Sequence, residues 1–455
     1  MQKINLWLIK KTLAISAVTI FLALAISLFL QGGFFAGLIF LVSVFLLLQG
    51  GFASWAMLSS WLTPKNLEKV RIPKKFAAPR LSFSLIIPVR NEEKVIAQTL
   101  AAVKKINYPK NLFEVLVVAR DDDTKTVGKI LESLNHLPPN FNLLVYKNYP
   151  NSKPESLNAA LEYCQKDVIA IFDAEDEPHP EILNAVNTKF LEEGVDIIQS
   201  GVQLVNVPSY WFSPFNCLEY YFWFKSILPL FSRLGANPLG GNTVFFKREI
   251  IKDAKGWDTA CLTEDAEIGV RLSANNRKTA VIYDEQMATR EETPPNLSSF
   301  IKQRTRWHQG YLQVFLKGDW KKLKDPKQKF IIAYLLIYPF IQVFNTLWLL
   351  LTPFLSFLAT TPLWLAIFSY FPGYFLLTQW GISLIGLWEL KKYYQLKFSP
   401  LLYLKFFLYY FPYQFVICFA TLRAIKRQFL SQLSWEKTEH LNVHRNGMIY
   451  LNNKT

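Results

Sequence analysis

The sequence predicts an α/β domain with a parallel-rich sheet, placed in the cytoplasm and flanked by transmembrane helices. Three observations predict it. Residues 65–328 alternate strand-like and helix-like segments. Two runs with no Asp, Glu, Lys or Arg, 12–64 and 330–388, enclose that section. Basic residues gather at its membrane edges: Lys3, Lys10 and Lys11 before the first run, and Lys65, Lys69, Arg71, Lys74 and Lys75 after it. Such clustering marks the cytoplasmic side.

Each uncharged run is too long for one crossing, which takes about 20 residues. The first breaks at the Gln-Gly-Gly of 31–33 and the second near 360–362, which gives two crossings each. The first run also exceeds the apolar core of a cleaved signal, roughly 7–15 residues. A further uncharged run, 406–422, contains Pro412 and has basic residues on both sides (Lys391, Lys392 and Lys397; Arg423, Lys426 and Arg427). Both flanks ask for the cytoplasm, so we expect this segment to be re-entrant or interfacial. The domains are then 1–64, two transmembrane helices; 65–297, the cytoplasmic domain; 298–328, amphipathic interfacial helices; 329–425, two to three transmembrane or re-entrant helices; and 426–455, a tail.

The net charge of +15 is accounted for by these membrane edges and asks for membrane lipid as partner, not nucleic acid. The four cysteines, Cys164, Cys217, Cys261 and Cys418, show no metal or redox spacing, so neither disulfide nor structural zinc is expected.

Within the soluble section, 83–90, 113–120, 141–148 and 167–174 read as strands, and 92–106, 124–134 and 156–164 as helices. Strand and helix in turn imply a parallel sheet covered on both faces, whose ligands lie beyond the carboxyl ends of the strands. Those ends are acidic. "RDDD" brings Asp121, Asp122 and Asp123, "DAED" brings Asp173, Glu175 and Asp176, and "TED" brings Glu264 and Asp265. Converging carboxylates repel one another unless a cation or a shifted pKa rewards them. Oxygen ligands without histidine suit Mg²⁺ or Mn²⁺ rather than zinc. No phosphate-binding P-loop and no dinucleotide fingerprint is present. The glycine pair of "PLGGNTVFF" (238–246) either walls a pocket or makes a plain turn.

The stretch "KQRTRWHQG" (302–310) follows a cap at Asn296 or Ser298 and a helical stripe of Phe300, Ile301, Trp307, Leu312 and Phe315. Gln303, Arg306 and Trp307, at i, i+3 and i+4, share one face. Trp307 offers a flat apolar plate and Arg306 a fixed fork for a carboxylate or phosphate.

These pieces, in this order, resemble the membrane-integrated family 2 glycosyltransferases, the group of cellulose, chitin and hyaluronan synthases and bacterial lipid glycosyltransferases. The resemblance covers roughly 80–315 and rests on "IIPVRNEE", "RDDD", "KPESLN", "DAED", "GGNTVFF", "TED" and "QRTRW". It implies a Rossmann-like GT-A fold and an inverting enzyme. A UDP-sugar donor would be bound by Pro88, Glu92, Asp122 or Asp123, Lys153 and Asp173, with a Mg²⁺ or Mn²⁺ ion on Asp173 and Glu175. Glu175 replaces the second Asp of the family's D-x-D, and Asp176 is placed to share its task. Asp265 matches the general base, with Glu264 beside it, and Gln303, Arg306 and Trp307 match the acceptor site. "SWEKTEH" resembles a gating segment, through Trp435, Lys437, Thr438 and His440. The acceptor is a glycan chain or, alternatively, a lipid of the diacylglycerol, ceramide or polyprenyl type. A transporter with a nucleotide-binding domain is the remote alternative, and it asks for charges inside the spans, which the two long runs lack.

Overall fold

Four of the predicted strands carry Val, Ile, Leu and Phe on both faces, the mark of strands covered on two sides. The computed structural model describes Ser27 and residues 33–63, 68–147, 152–358 and 361–438. Its elements, in order, are α1 (Gly33–Leu62), β1 (Phe83–Pro88), α2 (Ile96–Lys104), β2 (Phe113–Arg120), α3 (Thr124–Leu134), β3 (Phe141–Tyr146), α4 (Lys153–Leu161), β4 (Val168–Ile171) and α5 (Ile182–Glu193). There follow β5 (Ile197–Ser200), β6 (Val202–Leu204), α6 (Ser213–Phe222), a π-helical turn (Trp223–Ile227), α7 (Leu228–Arg233), β7 (Val244–Lys247), α8 (Arg248–Asp253) and α9 (Glu264–Ala274). The chain continues with β8 (Thr279–Ile282), β9 (Thr289–Glu291), α10 (Leu297–Lys317), α11 (Pro326–Leu358), α12 (Leu363–Phe368), α13 (Phe371–Tyr393) and α14 (Pro400–Phe429). It divides into two compact units, Met1–Ala56 with Ile341–Ile382, and Met57–Phe340 with Ser383–Thr455.

In the second unit, seven strands form one sheet in the order β3-β2-β1-β4-β7-β5-β8. All pairs are parallel except those of β7, which runs antiparallel to both β4 and β5. A small parallel pair, β6 with β9, stands beside it. Side chains of β1 alternate between two cores. Phe83, Leu85 and Ile87 join Val115 and Val117 under α2 and α5, through Leu100, Val103, Leu183 and Val186. Ile86 joins Leu116, Val118 and Ile171 under α4 and α9, through Leu157, Ile268 and Leu272. Each such fully buried side chain contributes roughly 1.5–3 kcal/mol relative to exposure. In the first unit, Ala36, Ile39, Phe40 and Leu46 of α1 pack with Trp348 and Leu365.

Three of the described helices are long and apolar enough to cross a membrane: Phe34–Leu62, Pro326–Leu358 and Pro400–Phe429. The crossing expected within 12–31 lies outside the described residues, Ser27 apart. The break expected near 360–362 falls between α11 and α12. The segment 406–422, expected to be re-entrant or interfacial, lies within one continuous 30-residue helix that includes Pro412. Of the apolar stripe read from the sequence on α10, Phe300 is fully buried, whereas Ile301, Trp307, Leu312 and Phe315 are half-buried. The helix also buries a polar face, Ser299, Gln303, Arg304, Thr305, His308 and Gln309. The reason is a polar helix pair with α14: Thr421 Oγ1 meets His308 Nδ1 at 2.8 Å, and Arg427 Nε donates to Gln309 Oε1 at 3.0 Å. Apolar periodicity cannot report a seam built from hydrogen bonds.

Inside a helix, alanine normally gains about 1 kcal/mol over glycine. Gly269 of α9 reverses this, because a Cβ there comes within 2.5 Å of the Asn237 carbonyl oxygen and 2.8 Å of the Pro238 carbonyl carbon. Both obstacles are backbone. Gly269→Ala is expected to lower the melting temperature of the detergent-solubilised protein, through overpacking of roughly 1–3 kcal/mol; a higher melting temperature would contradict this packing.

Candidate functional site

β1 pairs on one side with β2 and on the other with β4, so the chain direction of the winding reverses next to β1. A crevice opens at such a point beyond the strand ends. Here it is a cleft of about 170 Å³. It is lined by Pro88 at the end of β1 and Glu92 after it, by Lys153 of α4, by Asp173 and Glu175 after β4, and by Glu264 and Asp265 at the start of α9. Gln303, Arg306 and Trp307 of α10 and Trp435, Lys437 and Thr438 of the tail close the far walls. The motifs from 88 to 438 thus meet in one place. His440 lies outside the described residues.

Lys153 is the positive centre of the acidic floor. Its Nζ lies 2.5 Å from Asp173 Oδ1, donates to the Gly241 carbonyl at 3.1 Å and stands 3.8 Å from Glu264 Oε1. Burial works against its charge, yet Asp173 and Glu264 outweigh that and raise its pKa. Glu264 is buried, and burial pushes its carboxyl up to about 7 although Lys153 pulls the other way. Burial also raises Asp265.

Asp173, Glu175 and Glu291 each turn one carboxylate oxygen into a cluster whose atoms all lie within 4.8 Å of one another. Three hard oxygen donors without histidine or sulfur fit Mg²⁺ or Mn²⁺. Burial, with Asp173 second, pushes Glu175 up to about 8. Glu291, at the end of β9, was not singled out in the sequence; the paired acids of "TREET" were its only signal. It takes the place expected for Asp176. That residue instead accepts from the Asp173 backbone N–H at 2.8 Å and from Asn242 Nδ2 at 2.8 Å. Asn242 also donates to Glu291.

Asp122 and Asp123, one or the other of which was expected to bind the nucleotide, do not line the cleft. Asp123 caps α3 and accepts from the Asn91 N–H at 2.6 Å. Asp122 is paired with Arg90 and with Arg120, the latter at 2.9 Å. The two arginines reach the cleft instead, as do Tyr146 and Tyr220, which periodicity gave no reason to single out.

The glycine pair proves to be a wall. Gly240 N–H donates to Gln199 Oε1 at 2.8 Å. Gly241 has φ +92°, and a Cβ there would come 3.1 Å from Asp265 Oδ2. Leu239 (φ 59°) and Thr243 (φ 47°) flank the pair in the left-handed region, at a cost of about 1–3 kcal/mol for such a residue. On the opposite wall α10 approaches the "TED" loop at Gly310, where any side chain would overlap Thr263. In the tail, Lys437 pairs with Glu92 at 2.9 Å and donates to the Asn91 carbonyl at 2.6 Å. Trp435 lies 5.8 Å from the Arg306 guanidinium.

A family model described as "Glycosyltransferase like family 2" matches residues 79–310. The chain is similar to the probable glycosyltransferase YdaM of Bacillus subtilis, 26% identical over 88% of this chain and 95% of that protein. It is 24% identical to beta-monoglucosyldiacylglycerol synthases of Trichormus variabilis, over 51% of this chain and 49% of that protein, and of Synechocystis, over 64% and 62%. Its fold is similar to that of a mannosyltransferase from Pyrobaculum calidifontis in complex with GDP-Man and Mn²⁺. That match has a TM-score of 0.53 at 18% identity and covers 86% of this chain and 99% of the other.

A carboxyl with a higher pKa in the fold than in the unfolded chain stabilises at low pH, and that stabilisation is lost as the pH rises through the folded value. For Glu175 the window runs from 4.5 to about 8. Without added metal, the melting temperature should therefore fall between about pH 6 and about pH 8.5. Added Mn²⁺ should restore more at the higher pH, since it binds the ionised form. Thermal melts at both values check this, with Glu175→Gln expected to flatten both effects.

Proposed function

We propose that this chain, which belongs to glycosyltransferase family 2, transfers a sugar from a UDP-sugar to a hydroxyl of a membrane-associated acceptor, with inversion at carbon 1. One observation carries the reading. A candidate base, an oxygen-ligand cluster and an aromatic–arginine acceptor face line a single cleft. The acceptor read from "QRTRW" is a growing glycan. A second reading, single-sugar transfer to a lipid, is favoured by the names of the diacylglycerol enzymes among its relatives. The catalytic unit would face the cytoplasm of a multi-pass membrane protein, with α1, α11 and α14 as membrane crossings.

Asp173, Glu175 and Glu291 would hold the divalent ion. When bound, Mg²⁺ or Mn²⁺ supplies positive charge to the leaving diphosphate. Lys153 adds its own charge beside Asp173 and is fixed there by the Gly241 carbonyl. Glu264 faces Lys153, which leaves Asp265 to take the proton from the attacking hydroxyl. A carboxylate base, with no covalent nucleophile invoked, gives one displacement and hence inversion. Trp307 offers its ring to the acceptor, and Arg306 lies close enough to the "TED" acids to favour their ionised forms. Glu92, Arg90 and Arg120 stand at the nucleotide end.

The test is UDP release by detergent-purified protein across a panel of UDP-sugars with Mg²⁺ or Mn²⁺. Asp265→Asn is expected to lower turnover by about 10²–10⁴, the usual contribution of a general base, with donor KM little changed. High-molecular-weight product would select the glycan acceptor, and product extracted into organic solvent the lipid. Release that is unchanged in Asp265→Asn would remove the base from this aspartate.

A further inference from the structure

Trp307 borders the cleft, whereas Arg304 does not. Arg304 lies one turn earlier on α10, and the i, i+3 spacing sets it against the indole. Its guanidinium carbon lies 4.7 Å from the centroid of the Trp307 ring and 5.1 Å from that of Phe300. Its Nη2 also reaches α6, where it pairs with Glu219 and donates to Asn216 Oδ1. Those partners are themselves fixed. Tyr413 of α14 donates to Glu219 Oε1 at 2.8 Å, and Asn216 donates to Thr293 Oγ1. Three parts of the catalytic unit thus hold one buried guanidinium in place.

That arrangement is costly as packing. Burying a paired charge is often no better than filling the same space with an apolar side chain, and α10 has apolar neighbours at hand in Phe212, Phe300 and Tyr413. What a guanidinium supplies, and leucine or methionine cannot, is a rigid charged plane against the face of an indole. On another side of Trp307 the Tyr220 ring is 6.1 Å away and tilted by 44°.

We infer that Arg304 is a positioning residue for transfer: it backs the Trp307 indole from inside the protein and so presents the ring's cleft side to the acceptor. The inference rests on the proposed transfer reading, in which Trp307 meets the acceptor. A ring free to turn would still bind an acceptor, but less tightly; the donor end of the cleft would be unaffected.

Two measurements on the full-length protein test it, in Arg304→Gln and in the conservative Arg304→Lys. The first does not need turnover. The emission difference between wild type and Trp307→Phe isolates this one indole, and it should shift and become about twofold easier to quench with acrylamide when Arg304 is Gln, with partial recovery in Arg304→Lys. An unchanged difference spectrum overturns the proposal. The second is sugar transfer to n-octyl β-glucoside as probe acceptor. Its KM should rise about tenfold in Arg304→Gln while donor KM stays within about twofold. An equal rise in donor KM, or no rise in acceptor KM, overturns it. If the wild type releases no UDP from any UDP-sugar, the transfer reading fails and the emission arm decides the role of Arg304. If Arg304→Gln does not fold, Arg304→Lys, which keeps the charge facing Glu219, carries both arms.

Discussion

The packing of so many carboxylates at one sheet edge is the constraint on which the rest of this structure depends. Asp173, Glu175, Asp176, Glu264, Asp265 and Glu291 sit within one crevice or its floor, and burial disfavours the charge of most of them. Such a group persists only if something offsets its repulsion. Lys153 does so in part, by its contact with Asp173, and shared hydrogen bonds through Asn242 do so for Asp176 and Glu291. What is left is a concentrated demand for positive charge. On the proposed reading a divalent ion meets it, and the diphosphate brought with that ion meets Lys153.

Close backbone approaches keep the crevice narrow. Gly241 lets the wall come up to Asp265, Gly310 lets α10 come up to Thr263, and Gly269 lets α9 seat against the 237–239 segment. These three contacts tie the candidate base, the acceptor helix and the glycine loop into one rigid corner. The tail completes the enclosure, with Glu436 held by Arg423 at 2.6 Å and Lys437 held by Glu92.

Much of this was legible in the sequence because it followed from local pattern. The strands 113–120 and the helix 124–134 could be read to the residue, since apolar period and turn chemistry agree there. The acids after β4 and at "TED" were legible because they end strands or begin helices beside the sheet edge. Other features depend on contacts distant in sequence. Glu291 reaches the cluster from a three-residue strand too short to show a period. Asp123 looks like a ligand but satisfies a helix N-terminus. The polar seam of α10 and α14 joins residues more than 100 positions apart. Nothing in either segment alone announces that Arg427 serves Gln309.

The most direct test of the central claim is a titration of the protein with Mn²⁺, followed by the loss of the free-ion electron paramagnetic resonance signal, with and without UDP. The account predicts one bound ion per chain, tightened by UDP and lost in Asp173→Asn. Mn²⁺ that stays free in the wild-type protein with UDP present, or that binds Asp173→Asn equally well, would contradict the account.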